Sequence, residues 1–374
     1  MSDSQRAVII LDEQSGEATP VKPLMLEGVL FCPILRWMRE KLQANGVQKF
    51  LVVCGEAYRE EAKACFLPDT ELTLSDRMED LQAFLDTDEP VQVLNRAVMP
   101  MPKAGPGLVY QVPGHALQEA WQERLTGRIQ DAEMLPGWLP VYRESLAELS
   151  LMVRDRVVQG FARNGVFILD PANTYIDPRA LIGAGTKILP GTIIQGDTRI
   201  GYGCTIGPNA LIDTCVLGDG VQVNASQVYQ SVLADGCDVG PYAHIRPNCA
   251  VGKQCHIGAF VQLKNCVLGE GTKMAHLTYV GDADVGKGVN FGCGTITTNY
   301  DGFQKHRCKI GDKAFIGCNT NLVSPVEVGD GAYIAAGTTV IKNVPADALA
   351  VGRAKQENKD GWAKRRRQMN GQES

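Results

Sequence analysis

The sequence predicts an α/β N-terminal domain of Rossmann-like type followed by a left-handed parallel β-helix of hexapeptide repeats. Three observations carry this. An aliphatic side chain returns every sixth position at Ile176, Ile182, Ile188, Ile194, Ile200, Ile206 and Ile212, and the beat resumes over 233–263 and 310–340. That period fits neither a helix nor a flat strand and marks a β-helix, in which each hexad makes one short strand and one turn. Glycine directly follows many of these residues, as at Ile182-Gly183, Ile257-Gly258 and Ile316-Gly317, which suits corners that need positive φ. Upstream, apolar runs alternate with helical periodicity, the start of a parallel doubly wound unit.

Residues 7–11 (AVIIL) read as a buried strand, 31–42 as a helix, 49–54 (KFLVVC) as a second strand and 56–65 as a second helix. From 67 to 141 the pattern weakens: helices are expected near 77–86 and 115–126, a strand at 91–95, and a loop over 99–107, where Pro and Gly cluster. Four parts follow: an α/β domain over 1–141, a linker helix over 142–163, the β-helix over 164–344, and a polar, basic tail over 345–374 with Trp362, Lys364, Arg365, Arg366 and Arg367. The beat slips from six to five near Leu217, Val228 and Leu268, and a polar interruption, TNYDGFQKHRCK, spans 298–309. Loops projecting from a rigid scaffold are where binding groups concentrate. A β-helix leaves flat faces exposed, and by analogy with its class the expected assembly is a homotrimer with sites at the seams.

The net charge of −5 argues against a nucleic-acid partner. No run approaches the ~18 apolar residues of a membrane span, and the N-terminus lacks the apolar core of a secretory signal, so the expected location is cytoplasmic. The 12 cysteines include no CxxC pair and read as small free buried thiols, with no metal site.

The candidate reactive centre is KMAHLTYVGD over 273–282. His276 is the candidate general base, because histidine is the residue type suited to that role near neutral pH, although a lone histidine is otherwise a solvated or structurally bonded side chain. Arg246 and Lys264 stand 18 residues apart, one full turn, and should stack as two cations fit for a phosphate; otherwise they are solvated surface charge. Tyr279 and Asn290 fall within a few coils.

The stretches YAHIRP (242–247), HLTYVGDADVGKGVNFGCGTITTNYDG (276–302) and AFIGCNTNLVSPVEVGDGAYIAAGTTV (314–340) are long and nearly gap-free. Through them residues 164–362 resemble the acetyltransferase domain of the GlmU family, bacterial bifunctional enzymes of UDP-N-acetylglucosamine (cell-wall precursor) synthesis. The resemblance implies an acetyl-CoA-dependent acyltransferase that N-acetylates glucosamine 1-phosphate. Arg246 and Lys264 then match the sugar-phosphate ligands, His276 the proton acceptor, Tyr279 and Asn290 further sugar contacts, and Asn299 and Tyr300 the contact to the acetyl group. Cys293, Cys318, Ala336 and Arg353 match positions lining the CoA groove; Cys318 stands where some relatives have Ser. No acyl-enzyme is implied, so the cysteines need not be nucleophiles.

The N-terminal domain departs from the family. Where the uridyltransferase half carries a Gly-rich phosphate loop, this chain reads Leu11-Asp12-Glu13-Gln14-Ser15-Gly16-Glu17-Ala18-Thr19. Lys22 is the vestige of the family's lysine, the Gly-Asp pair that holds magnesium is missing, and the domain is shorter. The expectation is a degenerate nucleotidyltransferase-like domain without uridyl transfer and without magnesium. The alternatives are a bifunctional enzyme, an acyltransferase on another amino sugar, and a non-catalytic trimeric scaffold. Retention of His276, Asn299, Tyr300, Arg246 and Lys264 together argues against the scaffold.

Overall fold

The computed structural model describes residues 5–11, 21–101, 109–114, 117 and 133–370. The chain divides into two compact units, Met1–Arg163 with Thr174–Ala180, and Asn164–Asn173 with Leu181–Ser374.

In the first unit a strand at Arg6–Ile10 lies between parallel neighbours Lys49–Val53 and Pro90–Leu94. Glu71–Ser75 extends the sheet in parallel on one side; Val109–Pro113 and Glu133–Leu135 extend it antiparallel on the other. The central strand is apolar on both faces because both are covered. Ala7 and Ile9 join a core with Leu35, Met38 and Leu42 of the helix Ile34–Ala44, whereas Val8 packs with Leu81 and Leu85 of the helix Met78–Leu85.

The first helix begins three residues later than the expected 31, because Leu30 and Phe31 turn through positive φ (48° and 65°) and Pro33 supplies the extended N-cap. The expected helix over 56–65 is a 3-10 turn, Glu56–Tyr58, followed by Arg59–Lys63. Met99 belongs to a short strand, Val98–Pro100, paired antiparallel with Trp138–Pro140, not to a loop. The expected helix over 115–126, the rest of the 99–107 loop from residue 102, and Asp12 to Thr19 of the altered phosphate loop fall outside the described residues, Leu117 excepted. The helix Leu146–Arg163 contributes Leu149 and Val153 to the same core as the first helix.

The second unit is a parallel β-helix. One face is an 11-stranded sheet running from Phe167–Ile168 to Leu349–Ala350; the other two faces merge into one long parallel sheet from Leu181–Ile182 to Thr339–Val340. Inward residues stack rung on rung, as in Ile257, Met274, Phe291, Ile316 and Ile334, all buried. The slipped beat is a shortened coil: Ile200 pairs with Leu217, Ile212 with Val228 and Val251 with Leu268, so coils of 16 or 17 residues keep the stack in line. The interruption lengthens one coil instead, and Ala283 meets Cys308. Seven cysteines of this unit are buried. At inner corners Cys204, Cys237 and Cys255 donate S–H to the carbonyls of Gly218, Gly252 and Gly269, as Thr186 and Thr272 do with their hydroxyls to Gly201 and Gly286. A small side chain with a donor thereby satisfies a carbonyl that water cannot reach.

Candidate active site

Two strands, Gln262–Leu268 and Tyr279–Val285, run seven residues through a corner of the prism. Asn265 and Asp282 make that bend at φ 47° and 48°, a left-handed conformation that Asn and Asp adopt more readily than other L-residues. Lys264 pairs in register with Gly281, and Arg246 sits one rung below Lys264, its N–H donating to Leu263 O at 2.9 Å. The two cations stack as their spacing required. A cavity of about 330 Å3 opens here, lined by Arg246, Pro247, Asn248, Lys264, Asn265, Asp282 and Lys305.

Lys305 comes from the interrupting loop, which its own bonds hold in shape. Asp301 accepts the backbone N–H groups of Phe303 and Gln304, each at 2.8 Å, and lies 2.6 Å from His306 Nε2. These partners hold its carboxyl far below the ordinary value. Tyr300 bridges to Lys305 through the backbone, and its hydroxyl donates to Gly302 O at 2.6 Å. Arg307 anchors the return: it grips both oxygens of Asp284 at 2.8 and 2.6 Å and donates to the carbonyls of Asn265 and Ala283. Such a paired fork fixes orientation as well as position.

Asp282 is 5% exposed. It accepts Asn265 Nδ2 at 2.5 Å and also accepts the Asn299 amide. Burial pushes its pKa up, but the two amides and the charges of Lys264 and Lys305 outweigh it, so the carboxyl ends below its usual value. The neighbouring Lys305 amine, with burial, holds Lys264 below the ordinary lysine value, and the charge of Asp282 offsets part of that. Three cations thus face one buried carboxylate, which leaves the cavity short of negative charge. The phenol of Tyr279 folds over Gly281, where an added Cβ would meet its Oη at 2.2 Å and Asn299 Nδ2 at 3.1 Å.

His276 lies on a different line. It is exposed, stacks on Ala259, and accepts the Thr278 hydroxyl at its carbonyl at 2.8 Å. The registers Met274 to Phe291, Phe291 to Ile316 and Ile316 to Ile334 place His276, Cys293, Cys318 and Ala336 on successive rungs of one corner. The Arg353 side chain reaches the top of that column, its Cδ 3.7 Å from where a Cβ on Gly337 would stand. Asn290 stands apart on the 11-stranded face, between Lys273 and Phe315. One copy therefore gathers Arg246, Lys264, Tyr279 and Asn299 around one corner and aligns His276, Cys293, Cys318 and Ala336 along the next, with Asn290 at the far end of the same 11-stranded face whose strand His276 ends. Lys22 is paired with Glu61, and the tail forms an exposed helix, Trp362–Met369. Among the described residues no group of three His, Cys, Asp or Glu side chains could hold a metal, and no helix is long and apolar enough to cross a membrane.

Sequence reasoning missed Lys305, Asp282 and Asn265. The signal was present: Asn265, Asp282 and Asn299 recur at an interval of 17, one short coil.

Repeat and rungs together define the class, a hexapeptide-repeat β-helix. Residues 179–214 and 307–342 match the family described as bacterial transferase hexapeptide (six repeats). The particular resemblance is to GlmU: residues 197–287 match the GlmU-like, C-terminal hexapeptide family. Over its C-terminal part the chain is similar to the bifunctional protein GlmU of Geobacillus sp. (strain WCH70), 48% identical over 223 residues, and of Geobacillus thermodenitrificans (strain NG80-2), 50% identical over 225. Each match covers 60% of this chain and 49% of the relative, so the chain spans about half the length of the curated relatives it matches. A solved UDP-N-acetylglucosamine acyltransferase from Campylobacter jejuni overlays with a TM-score of 0.34 at 15% identity, covering 50% of this chain and 71% of that one, too loosely to carry an argument.

Proposed function

We propose that the protein transfers the acetyl group of acetyl-CoA to the amine of glucosamine 1-phosphate. The carrying observation is the small cavity with three converging cations, Arg246, Lys264 and Lys305. A phosphate monoester supplies the missing negative charge and several acceptor oxygens. Tyr279 and Asn299 border the cavity and meet the sugar ring. His276 takes the proton of the amine, which must be neutral to attack a thioester. The amine attacks the carbonyl, a backbone N–H near Tyr300 stabilises the oxyanion, and the thiolate leaves. Small side chains at Cys293, Cys318 and Ala336, capped by Arg353, leave a strip along the corner for the CoA arm. Asn290, on the 11-stranded face away from the cation cavity, joins the sugar from a neighbouring copy in a homotrimer. The first domain has lost uridyl transfer, since Gly16 is the one glycine left in the phosphate loop, its Arg is gone, and new acidic residues stand where phosphates would bind. The reaction belongs to amino-sugar precursor synthesis in the cytoplasm.

The test is paired. Thiol release from acetyl-CoA with glucosamine 1-phosphate is measured beside pyrophosphate release from UTP with the acetylated sugar phosphate. Thiol release that vanishes in His276→Ala, without pyrophosphate, is the expected result. Pyrophosphate release overturns the reading of the first domain; thiol release only with a different amino sugar overturns the substrate.

A further inference from the structure

We propose that Cys293 and Cys318 form a reversible disulfide site on the outer corner of the β-helix, with a small-molecule disulfide as the oxidant. Ten of the chain's 12 cysteines are buried; Cys293 is partly exposed and Cys318 is exposed. These two accessible thiols are also rung neighbours. Phe291 pairs with Ile316 in register, and Asn319 N donates to Cys293 O at 2.8 Å, so Cys318 stacks directly on Cys293. Adjacent parallel strands lie about 4.8 Å apart. That falls inside the Cα separation of about 4.4–6.8 Å over which a disulfide closes without backbone movement. Each cysteine directly precedes a residue at positive φ, Gly294 at 78° and Asn319 at 54°, so both occupy the same corner position of their rungs.

The interior supplies a built-in comparison. Cys249 and Cys266 also stack on adjacent rungs, with their sulfurs 3.8 Å apart, yet both are buried. Rung stacking is shared by the two pairs and access is not, so a water-borne oxidant separates them.

The chemistry is thiol–disulfide exchange. The Cys318 thiolate attacks one sulfur of the small disulfide RSSR, whose S–S bond breaks and releases one thiolate. The Cys293 thiolate then attacks the Cys318 sulfur of the mixed disulfide and releases the second. The cysteines lose two electrons and two protons; RSSR takes the electrons, and the protons end on two RSH molecules. A bond here withdraws two sulfurs from the strip directly above His276. The cross-link stands independently of the acetyl-transfer reading; its effect on acetyl transfer rests on that reading.

The experiment uses the full chain and oxidised glutathione, with peptide mass analysis under non-reducing conditions. The expected result is a Cys293–Cys318 linked peptide lighter by two hydrogens, absent from Cys318→Ser and reversed by dithiothreitol, while Cys249 and Cys266 stay reduced. Only a glutathione adduct, or both thiols left free, overturns the proposal. In parallel, oxidation should raise KM for acetyl-CoA about tenfold, the scale of one lost groove contact. A cross-link with unchanged KM keeps the disulfide site and refutes the placement of CoA along this corner.

Discussion

Lys305→Ala tests the cation cavity most directly. Lys305 is exposed and reaches the cavity from the loop, so its removal leaves the interior stacks of the β-helix untouched. The variant reduces three cations to two opposite the carboxylate of Asp282. A hydrogen bond to a charged group contributes about 1.5–3 kcal/mol, and solvent screening at this open site favours the lower end. At about 1.5–2 kcal/mol, KM for glucosamine 1-phosphate should rise roughly ten- to thirtyfold. KM for acetyl-CoA should hold, because the strip proposed for CoA lies on a different corner. Raising ionic strength should weaken sugar-phosphate binding in the parent more than in the variant. A second readout needs no turnover: Lys305 is the leading cause of the depressed Lys264 pKa, so that pKa should rise in the variant by NMR titration. A sugar-phosphate KM within twofold of the parent at low salt, in a protein with unchanged unfolding midpoint, refutes the assignment of the phosphate to this cavity.

His276→Ala should lower kcat by about 10²–10⁴-fold, the range of a lost general base, with little change in Tm because the side chain is exposed; stopped turnover with a collapsed Tm would instead mean a structural role. Gly281→Ala should push the Tyr279 ring out of its fold over the backbone, since the new Cβ falls 2.2 Å from its hydroxyl, and raise the sugar-phosphate KM severalfold while CoA binding holds; calorimetric sugar-phosphate binding equal to the parent's would contradict it. Acid should unfold the β-helix in part through Asp282 and Asp284, whose folded pKa values are depressed. Their contribution is present above the unfolded value of about 4 and is lost as pH falls through the folded values. Denaturant midpoints measured from pH 6 down to pH 2 should therefore decline below about pH 4, less steeply in Asp282→Asn; parallel curves would refute the contribution of Asp282.

The hexad beat was legible because every inward position faces the same narrow prism, so Ile188 and Ile316 meet the same demand more than a hundred residues apart. Lys264 was placed one rung from Arg246 by counting one coil. The count could not reveal Lys305, whose position depends on how the loop folds back through Asp301 and Arg307. Nor could it separate Asn290 from the cavity, since one coil contains three faces and sequence distance alone does not say which face a residue occupies. In the first unit the missed strand Glu71–Ser75 lies at the sheet edge with only Ser75 buried, so its apolar pattern is weak. Pro33 and the positive φ of Phe31 shortened a helix whose periodicity ran on through them.

The lengthened coil at 299–307 leaves the rungs beyond it in step, with Cys308 settled above Ala283 and Phe315 above Asn290. A solenoid of this kind tolerates a detour because each turn answers only to its immediate neighbours. That one excursion can therefore change, so long as the grip of Arg307 on Asp284 is kept, while the spiral holds its pitch, and on the proposed reading selectivity for one anionic amino sugar over another becomes a property that a single short loop can rewrite without refolding the rest.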